Sequence, residues 1–249
     1  KMPPTLYLID GHALAYRTYF ALSISGGRFT TSTGEPTAGT FGFASVLLRI
    51  LETDHPEYLA VAFDTGKTFR NEMYPAYKAT RAKMPDDLRP QIDRIRKMVD
   101  AFGIPRLEQE GVEADDVLGS IARQAVSKGF GVKIITGDRD LLQLVDERVL
   151  VNLAGSKLSE AVDYGPREVM DALGVRPDQV IEYKGLVGDK SDNIPGVHGI
   201  GEKTAVGLLQ KYATLEEVYE HLEELTPRVR TLLGQDRESA FLSRDLATI

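Results

Sequence analysis

Three acidic residues follow apolar segments of this chain, each close to the point where the segment ends. Asp10 follows TLYLI, Asp64 follows YLAVAF and Asp138 follows VKIITG. A single aspartate at such a point commonly starts a turn or caps a helix. If the segments are parallel strands, their carboxyl ends share one edge of the sheet, where ligands bind in open α/β folds. We therefore expect the three carboxylates to converge on one site.

Six more acids occur in close groups. The stretch GVEADD has three acids within four residues at the start of a predicted helix. One acid in the first turn is enough to complement the helix dipole. Three acids exceed that need, and their like charges repel one another at this spacing. TGDRD and GDKSD each contain a pair, so that nine carboxylates are candidate ligands. The nine are Asp10, Asp64, Glu113, Asp115, Asp116, Asp138, Asp140, Asp189 and Asp192.

A set of this kind stays ionised in a folded protein only with cations, and all-oxygen ligands select Mg²⁺ or Mn²⁺ over zinc. The four histidines show no paired spacing, which agrees with a hard ion. Two such ions about 4 Å apart can stabilise the attacking and leaving oxygens of a phosphate-ester displacement. The chain has no GxxxxGK[ST] loop and no GxGxxG after its first apolar segment, so a nuclease is favoured over a kinase or ATPase.

Composition bounds the remaining possibilities. The 249 residues are 42% hydrophobic and 27% charged, which excludes a disordered or low-complexity chain. Without the nine carboxylates the net charge of −7 becomes +2, so the rest of the surface can face a polyanion. The absence of cysteine excludes disulfides, thiolate zinc sites and a cysteine nucleophile, and fits a reducing compartment such as the cytoplasm. No apolar run is long enough for a membrane span, and Asp10 interrupts any signal peptide.

The segment 65–83 is basic, with five cations against one acid and a local charge of +4. Composition alone favours a solvated loop. The alternative is a nucleic-acid contact, in which cations bind phosphates and aromatic rings stack on unpaired bases. Its cations are Lys67, Arg70, Lys78, Arg81 and Lys83, interleaved with Phe69, Tyr74 and Tyr77.

The stretch GVHGIGEKTA forms a glycine-rich turn before a predicted helix. Such a turn can be a simple helix–helix connection that needs glycine for positive φ. It can also present backbone N–H groups to an anion. GxxGxG followed by lysine resembles the helix–hairpin–helix motif, which binds a DNA backbone without reading its sequence. The residues concerned are Gly196, Gly199, Gly201, Lys203 and Thr204.

The elements that must position these residues fall into two parts. Near-continuous apolar strands alternate with helices up to about residue 165, which predicts a doubly wound, mostly parallel α/β sheet flanked by helices. From Pro166 short helices follow, separated by Pro and Gly. We expect an α/β nuclease core over 1–165, with the basic segment 65–89 within it, and a helical DNA-binding subdomain over 166–249.

Five stretches resemble one family, in this order: LIDGHALAYRTYFAL, VAFDTGKTFRNEMYPAYKATRA, EGVEADDVLGSIA, TGDRDLLQL and GDKSDNIPGVHGIGEKTA. Together they are similar to the 5′-nuclease (flap endonuclease-like) domain at the N-terminus of bacterial DNA polymerase I. The resemblance covers essentially the whole chain, and all nine family carboxylates have a match. It implies a 5′–3′ exonuclease and flap endonuclease that removes RNA primers and displaced 5′ strands. Its partners would be DNA with 5′ flaps or nicks and RNA primer–DNA duplexes.

The resemblance also implies where metal and DNA bind. Two or three Mg²⁺ or Mn²⁺ ions are expected, and a K⁺ ion often accompanies the glycine turn. The basic segment resembles the family's helical arch, in which Lys78 and Arg81 match residues near the scissile phosphate. The family would form one metal site from Asp10, Asp64, Glu113, Asp115 and Asp116, and a second from Asp138, Asp140, Asp189 and Asp192.

A polymerase domain would follow in cis, and the domain itself would be a monomer associated with the nucleoid. Two other functions stay open. A PIN-class ribonuclease shares an acid-lined α/β core, but such proteins are usually much shorter and lack the arch and the glycine turn. A DNA-junction-binding module without catalysis would be indicated by lost carboxylates, and none is lost.

Overall fold

The computed structural model describes residues 3–24, 29–154 and 161–249. Within them the chain divides into two compact units. The α/β unit comprises Lys1–Lys67, Lys83–Leu141 and Val145–Gly165, and the helical unit comprises Thr68–Ala82, Leu142–Leu144 and Pro166–Ile249.

The α/β unit is built on a six-stranded sheet with the strand order β3-β2-β1-β4-β5-β6. All neighbouring pairs are parallel except β5 and β6, which are antiparallel. The predicted mostly parallel α/β sheet is therefore confirmed. The strands are β1 (Thr5–Asp10), β2 (Tyr58–Ala62), β3 (Arg106–Leu107), β4 (Gly131–Thr136), β5 (Val149–Leu153) and β6 (Val162–Tyr164).

The register of the three central strands aligns their carboxyl ends. Ile9 of β1 lies opposite Val61 of β2 on one side and Ile135 of β4 on the other. These side chains are buried, as expected for strands covered by helices on both faces. The residues that follow the three strands are thus brought to the same edge of the sheet.

The helices are α1 (Gly11–Ile24), α2 (Ala38–Thr53), α3 (Phe69–Met73), α4 (Arg89–Ala101), α5 (Ala114–Ser127), α6 (Pro166–Leu173), α7 (Val180–Val187), α8 (Glu202–Lys211), α9 (Leu215–Glu220), α10 (Pro227–Gln235) and α11 (Arg237–Ala247). In the α/β unit, α4 shows how sequence periodicity builds the core. Ile92, Ile95 and Val99 recur at helical spacing, and all three are buried with Phe43 and Leu47 of α2.

The helical unit contains most of the basic segment, which the sequence analysis placed within the first part of the chain. Tyr77 is buried in a small apolar cluster with Ile194, Leu246 and Ala247. The segment belongs to this unit because its buried side chains pack on the C-terminal helices. No helix among the described residues has both the length and the apolar character that a membrane crossing requires.

Candidate metal centre and nucleic-acid interface

Asp10 lies at the end of β1 and is only 3% exposed. The N–H of Ala13 donates to its Oδ1 at 3.1 Å, and the hydroxyl of Thr136 donates to its Oδ2 at 2.8 Å. Burial raises the pKa of Asp10 to about 7, since the two hydrogen bonds offset only part of the desolvation and repulsion from Asp64 and Asp138 raises the pKa further. This carboxylate is therefore difficult to ionise without a cation.

Asp64 follows β2 and faces the start of α5. Its Oδ1 accepts a hydrogen bond from the N–H of Ala114 at 2.8 Å. Its own N–H donates to Nδ1 of His12 at 3.1 Å, and its carbonyl oxygen accepts a hydrogen bond from Arg96 at 3.0 Å. The main chain and the side chain of Asp64 are both held in place.

The acids of GVEADD divide between capping and electrostatic roles. Glu113 begins α5 in a capping box with Asp116, whose Oδ2 accepts the N–H of Glu113 at 2.8 Å. Burial raises the pKa of Asp115 well above its ordinary value, and the charges of Asp10, Asp138 and Glu113 raise it further. Glu113 and Asp116 thus have an ordinary helix-capping function, whereas the burial of Asp115 and the negative charges around it disfavour its ionised form.

Asp138 directly precedes the short 3₁₀ helix Arg139–Leu144, and Asp140 lies in its first turn. The N–H of Asp138 donates to the hydroxyl of Thr136 at 3.0 Å, and Oδ1 of Asp138 accepts the N–H of Asp140 at 2.9 Å. Thr136 therefore connects Asp10 and Asp138 through one hydroxyl group.

The carboxyl ends of the central strands thus gather mutually repelling acids. Asp10, Asp64, Glu113, Asp115 and Asp138 interact strongly enough to raise the pKa of Asp10 or Asp115. Among the described residues, no three His, Cys, Asp or Glu side chains are arranged closely enough to hold a metal ion as they stand. The donor chemistry nevertheless fits a hard divalent cation, because every donor is a carboxylate oxygen and a cation would relieve the repulsion.

Asp189 and Asp192 belong to the helical unit, whereas the other seven candidate ligands belong to the α/β unit. Burial alone would raise the pKa of Asp189, but Lys184 at 2.7 Å and hydrogen bonds from Ser191 outweigh it and lower the pKa to about 2. Asp189 is consequently ionised and paired with a lysine. A metal site shared by these two aspartates with Asp138 and Asp140 stays a prediction.

Asp192 organises the basic segment. It is only 3% exposed, and its carboxylate accepts hydrogen bonds from Nε of Arg81 at 3.0 Å and from the hydroxyl of Tyr77 at 3.3 Å. Nζ of Lys78 lies 3.8 Å from the same carboxylate, and the main-chain N–H of Lys78 donates to the carbonyl of Asp192 at 2.8 Å. The side chain of Asn193 donates to the carbonyl of Ala76 at 2.7 Å. The expectation of a solvated loop is therefore wrong for this part of the segment.

The structure does not support DNA contacts by Arg70 and Tyr77. Arg70 is 2% exposed, and its guanidinium donates to the carbonyls of Leu246 at 2.8 Å and Thr248 at 2.6 Å. Tyr77 is 5% exposed and points its hydroxyl at Asp192. Both side chains hold the helical unit together, so that they are not available to a nucleic acid. Lys67 and Lys83, the other two cations of the basic segment proposed to contact DNA, are exposed.

Two glycines of the turn, Gly196 and Gly199, have a positive φ that favours glycine, and Gly196 is also closely packed. Gly196 has φ of 64°, and a Cβ at this position would lie 2.3 Å from the nitrogen of Gly188. Its N–H donates to the hydroxyl of Ser243 at 2.8 Å, and its carbonyl accepts from Ser239 at 2.6 Å. Gly196 is therefore engaged within the helical unit and does not present its N–H to a phosphate.

The rest of the turn is accessible. Gly199, Gly201 and Lys203 are exposed, and Thr204 is half-buried. Gly201 is the N-cap residue of α8, with Lys203 in the first turn of that helix. A phosphate could thus approach the N-terminus of α8 beside a lysine.

The sequence analysis did not identify His12, Arg96 or Lys184. Each contacts a predicted ligand, His12 and Arg96 at Asp64 and Lys184 at Asp189. Burial lowers the pKa of His12, which keeps its ring neutral. The position of His12 two residues after Asp10, in the first turn of a helix, was an available signal. The contact of Arg96 had no local signal.

Comparison with known proteins agrees with this arrangement. A family model described as 5′-3′ exonuclease, N-terminal resolvase-like domain, matches residues 5–174, and one described as 5′-3′ exonuclease, C-terminal SAM fold, matches residues 175–249. DNA polymerase I of Chloroflexus aurantiacus is 49% identical over 99% of this chain, and that of Bacillus caldotenax is 42% identical over 100%. The chain covers only 26% and 28% of these two relatives.

Solved structures share the fold. A complex of bacteriophage T5 flap endonuclease with DNA and metal ions superposes with a TM-score of 0.78 at 23% identity, covering 98% of this chain and 88% of the other. The catalytic core of Rad2 in complex with DNA substrate gives 0.59 at 16% identity, covering 98% and 79%.

The acid-lined edge of a parallel sheet and the helical C-terminal unit define a nuclease architecture. The chain belongs to the 5′–3′ exonuclease family, since the two family models together account for residues 5–249.

Proposed function

We propose that this chain is a structure-specific 5′ nuclease that hydrolyses phosphodiester bonds near junctions between a 5′ single strand and a duplex. The observation that carries the proposal is the group of repelling carboxylates at the carboxyl ends of β1, β2 and β4, in which burial raises the pKa of Asp10 to about 7. A cluster this costly to ionise is typical of a functional site. Membership of the 5′–3′ exonuclease family supports the reaction.

Two or three Mg²⁺ or Mn²⁺ ions are the cofactors proposed for this cluster. Asp10, Asp64, Asp115 and Asp138 would provide the principal ligands in the α/β unit, with Glu113, Asp116 and Asp140 as further donors. When bound, divalent ions activate water and stabilise the charge that develops on the phosphate. The all-oxygen donor set supports a hard ion. T5 5′-exonuclease, which shares the fold, has been solved with divalent metal ions, zinc in that case, and this supports divalent metal binding in general. A K⁺ ion at the glycine turn is a further proposal that rests on the resemblance.

Basic side chains of this protein would bind the substrate. Lys78 and Arg81 are held together by Asp192, which orders two flexible side chains before DNA arrives. We assign them to the phosphate near the scissile bond, where fixed cations stabilise developing charge. Lys203 and the N-terminus of α8 would bind the duplex backbone.

DNA with 5′ flaps or nicks and RNA primer–DNA duplexes are the proposed substrates, with a role in DNA replication and repair at the nucleoid in the cytoplasm. The relatives named DNA polymerase I are about four times as long as this chain, so a polymerase domain in cis is proposed as well. The nuclease unit itself is proposed to act as a monomer.

A cleavage assay tests the function. A 5′-labelled flap duplex is incubated with and without Mg²⁺, using wild type, Asp138→Asn and the control Asp171→Asn, whose carboxylate is 71% exposed in the helical unit. We expect Mg²⁺-dependent cutting at the junction by wild type and Asp171→Asn, and severe loss in Asp138→Asn with flap binding retained.

Other outcomes would identify the competing functions. Cleavage restricted to single-stranded RNA would support the PIN-class ribonuclease, and metal-tolerant binding without cutting would support a junction-binding module. Cutting by Asp138→Asn within tenfold of wild type would contradict the metal assignment.

A further inference from the structure

The main chain of Asp64 is fixed on both sides by two side chains that have no part in the function proposed above. Its N–H donates to Nδ1 of His12 at 3.1 Å, and its carbonyl oxygen accepts from Nη2 of Arg96 at 3.0 Å. The N–H of Ala114 adds a bond to Oδ1 at 2.8 Å. Main chain and carboxylate of one predicted ligand thus have three separate anchors.

His12 is itself held in a defined orientation. It lies in the first turn of α1, and its ring packs edge-on against Phe63 with the ring centroids 5.8 Å apart. Because Nδ1 accepts the N–H of Asp64, the neutral ring has its proton on Nε2. Only 16% of the side chain is exposed, so solvent competes weakly for this bond.

Arg96 reaches Asp64 from α4 and also contacts Phe63. Its guanidinium carbon lies 5.1 Å from the Phe63 ring centroid, and it is paired with Glu108 at 2.8 Å and Asp93 at 3.1 Å. Phe63 is 1% exposed. The residue before Asp64 thus contacts the same two side chains that bind the Asp64 main chain.

We propose that His12 and Arg96 are positioning residues that orient Asp64 for a divalent cation, with His12 Nδ1 as the essential acceptor. The proposal rests on the metal-dependent function given above. The physical need comes from repulsion: Asp64 and Asp10 act on each other, so a freely moving Asp64 would turn away from the cluster. The bonds from His12 and Arg96 fix the main chain from which the carboxylate projects, and the bond from Ala114 then holds the carboxylate itself. Groups that orient metal ligands typically contribute 10–100-fold to metal affinity.

The test compares two replacements of one side chain. His12→Phe keeps a ring against Phe63 and removes the acceptor, whereas His12→Asn places an amide oxygen near the position of Nδ1. We expect His12→Phe to raise the half-saturating Mg²⁺ concentration for flap cleavage 10–100-fold, and His12→Asn to stay within about threefold of wild type. Turnover at saturating Mg²⁺ should change much less than the half-saturating concentration.

A second readout does not need DNA. Thermal melts across a Mg²⁺ titration should show the same displacement of the midpoint concentration in His12→Phe. The matched control is His221→Phe, which keeps a ring stacked on Tyr212 at 4.9 Å and loses the Nδ1 hydrogen bond to Glu217 at 2.7 Å. This control should leave the Mg²⁺ dependence unchanged.

Arg96→Met is the variant to use if His12→Phe does not fold, because it keeps an aliphatic stem on Phe63 and removes the donor to Asp64. We expect a displacement in the same direction. Unchanged Mg²⁺ midpoints in the folded variants, or equal displacement in His12→Phe and His12→Asn, would overturn the positioning role. A wild type that neither cuts nor gains thermal stability with Mg²⁺ would instead overturn the proposed function.

Discussion

Replacing Asp10 by Asn should make the metal-free protein more stable at high pH. The side chain of Asn keeps the shape of Asp10 and an acceptor for the N–H of Ala13, but it has no charge to bury. In wild type the pKa of Asp10 is raised from 3.8 to about 7. A raised carboxyl pKa favours folding at low pH, and that contribution is lost as pH rises through the folded value. Ionising Asp10 in the folded protein above pH 7 therefore costs about 4 kcal/mol relative to the unfolded chain.

The pH dependence makes this prediction specific. The same linkage gives a cost of about 2 kcal/mol at pH 5.5, so the stability gap between Asp10→Asn and wild type should widen by about 2 kcal/mol between pH 5.5 and pH 8. For a chain of this size that corresponds to roughly 4–8 °C in Tm.

The assay is a pair of thermal melts in chelator at the two pH values, with Asp171→Asn as the control. In Mg²⁺ at a hundred times its Kd wild type should recover about 2.7 kcal/mol, and Asp10→Asn should recover less because it lacks a ligand. A gap that does not change with pH, or an Asp10→Asn protein that melts below wild type at pH 8, would refute the reasoning.

The remaining predictions concern arginine and lysine side chains. Arg70→Met should lower the free energy of unfolding by about 3 kcal/mol, because it leaves the buried carbonyl of Leu246 without its donor and also removes the bond to the carbonyl of Thr248. Chemical denaturation measures this, and a change in DNA affinity without loss of stability would contradict it. Lys78→Ala should slow single-turnover cleavage more than it weakens flap binding, whereas equal weakening of both would assign Lys78 to general electrostatics. Lys203→Ala should weaken DNA binding evenly across duplex sequences and reduce the slope of log binding constant against log salt concentration by about one. An altered sequence preference in a binding titration would count against a phosphate contact.

Local pattern was sufficient for the central part of the fold. The apolar runs before Asp10, Asp64 and Asp138 predicted β1, β2 and β4 because a buried parallel strand is continuous in its hydrophobicity. The two-residue β3 and the three-residue edge strand β6 are too short to produce such a pattern. In β5 the burial alternates, with Val149, Val151 and Leu153 buried, but the sequence does not, because the exposed Leu150 is apolar as well. The period of two that identifies a half-buried strand is therefore absent from its hydrophobicity.

By itself, the sequence determined which residue types could do the chemistry and which strand ends would bring them together, because both follow from spacing of a few residues along the chain. Only the tertiary structure decided how individual charges are used. Arg70 bonds to a carbonyl 176 positions away, Arg81 pairs with Asp192 over 111 positions, and His12 accepts the N–H of Asp64 over 52. An arginine in a basic segment has the same local sequence whether it faces solvent or a buried carbonyl. Which of the two occurs depends on residues that are distant in sequence and close in the folded chain, so no local periodicity can predict it.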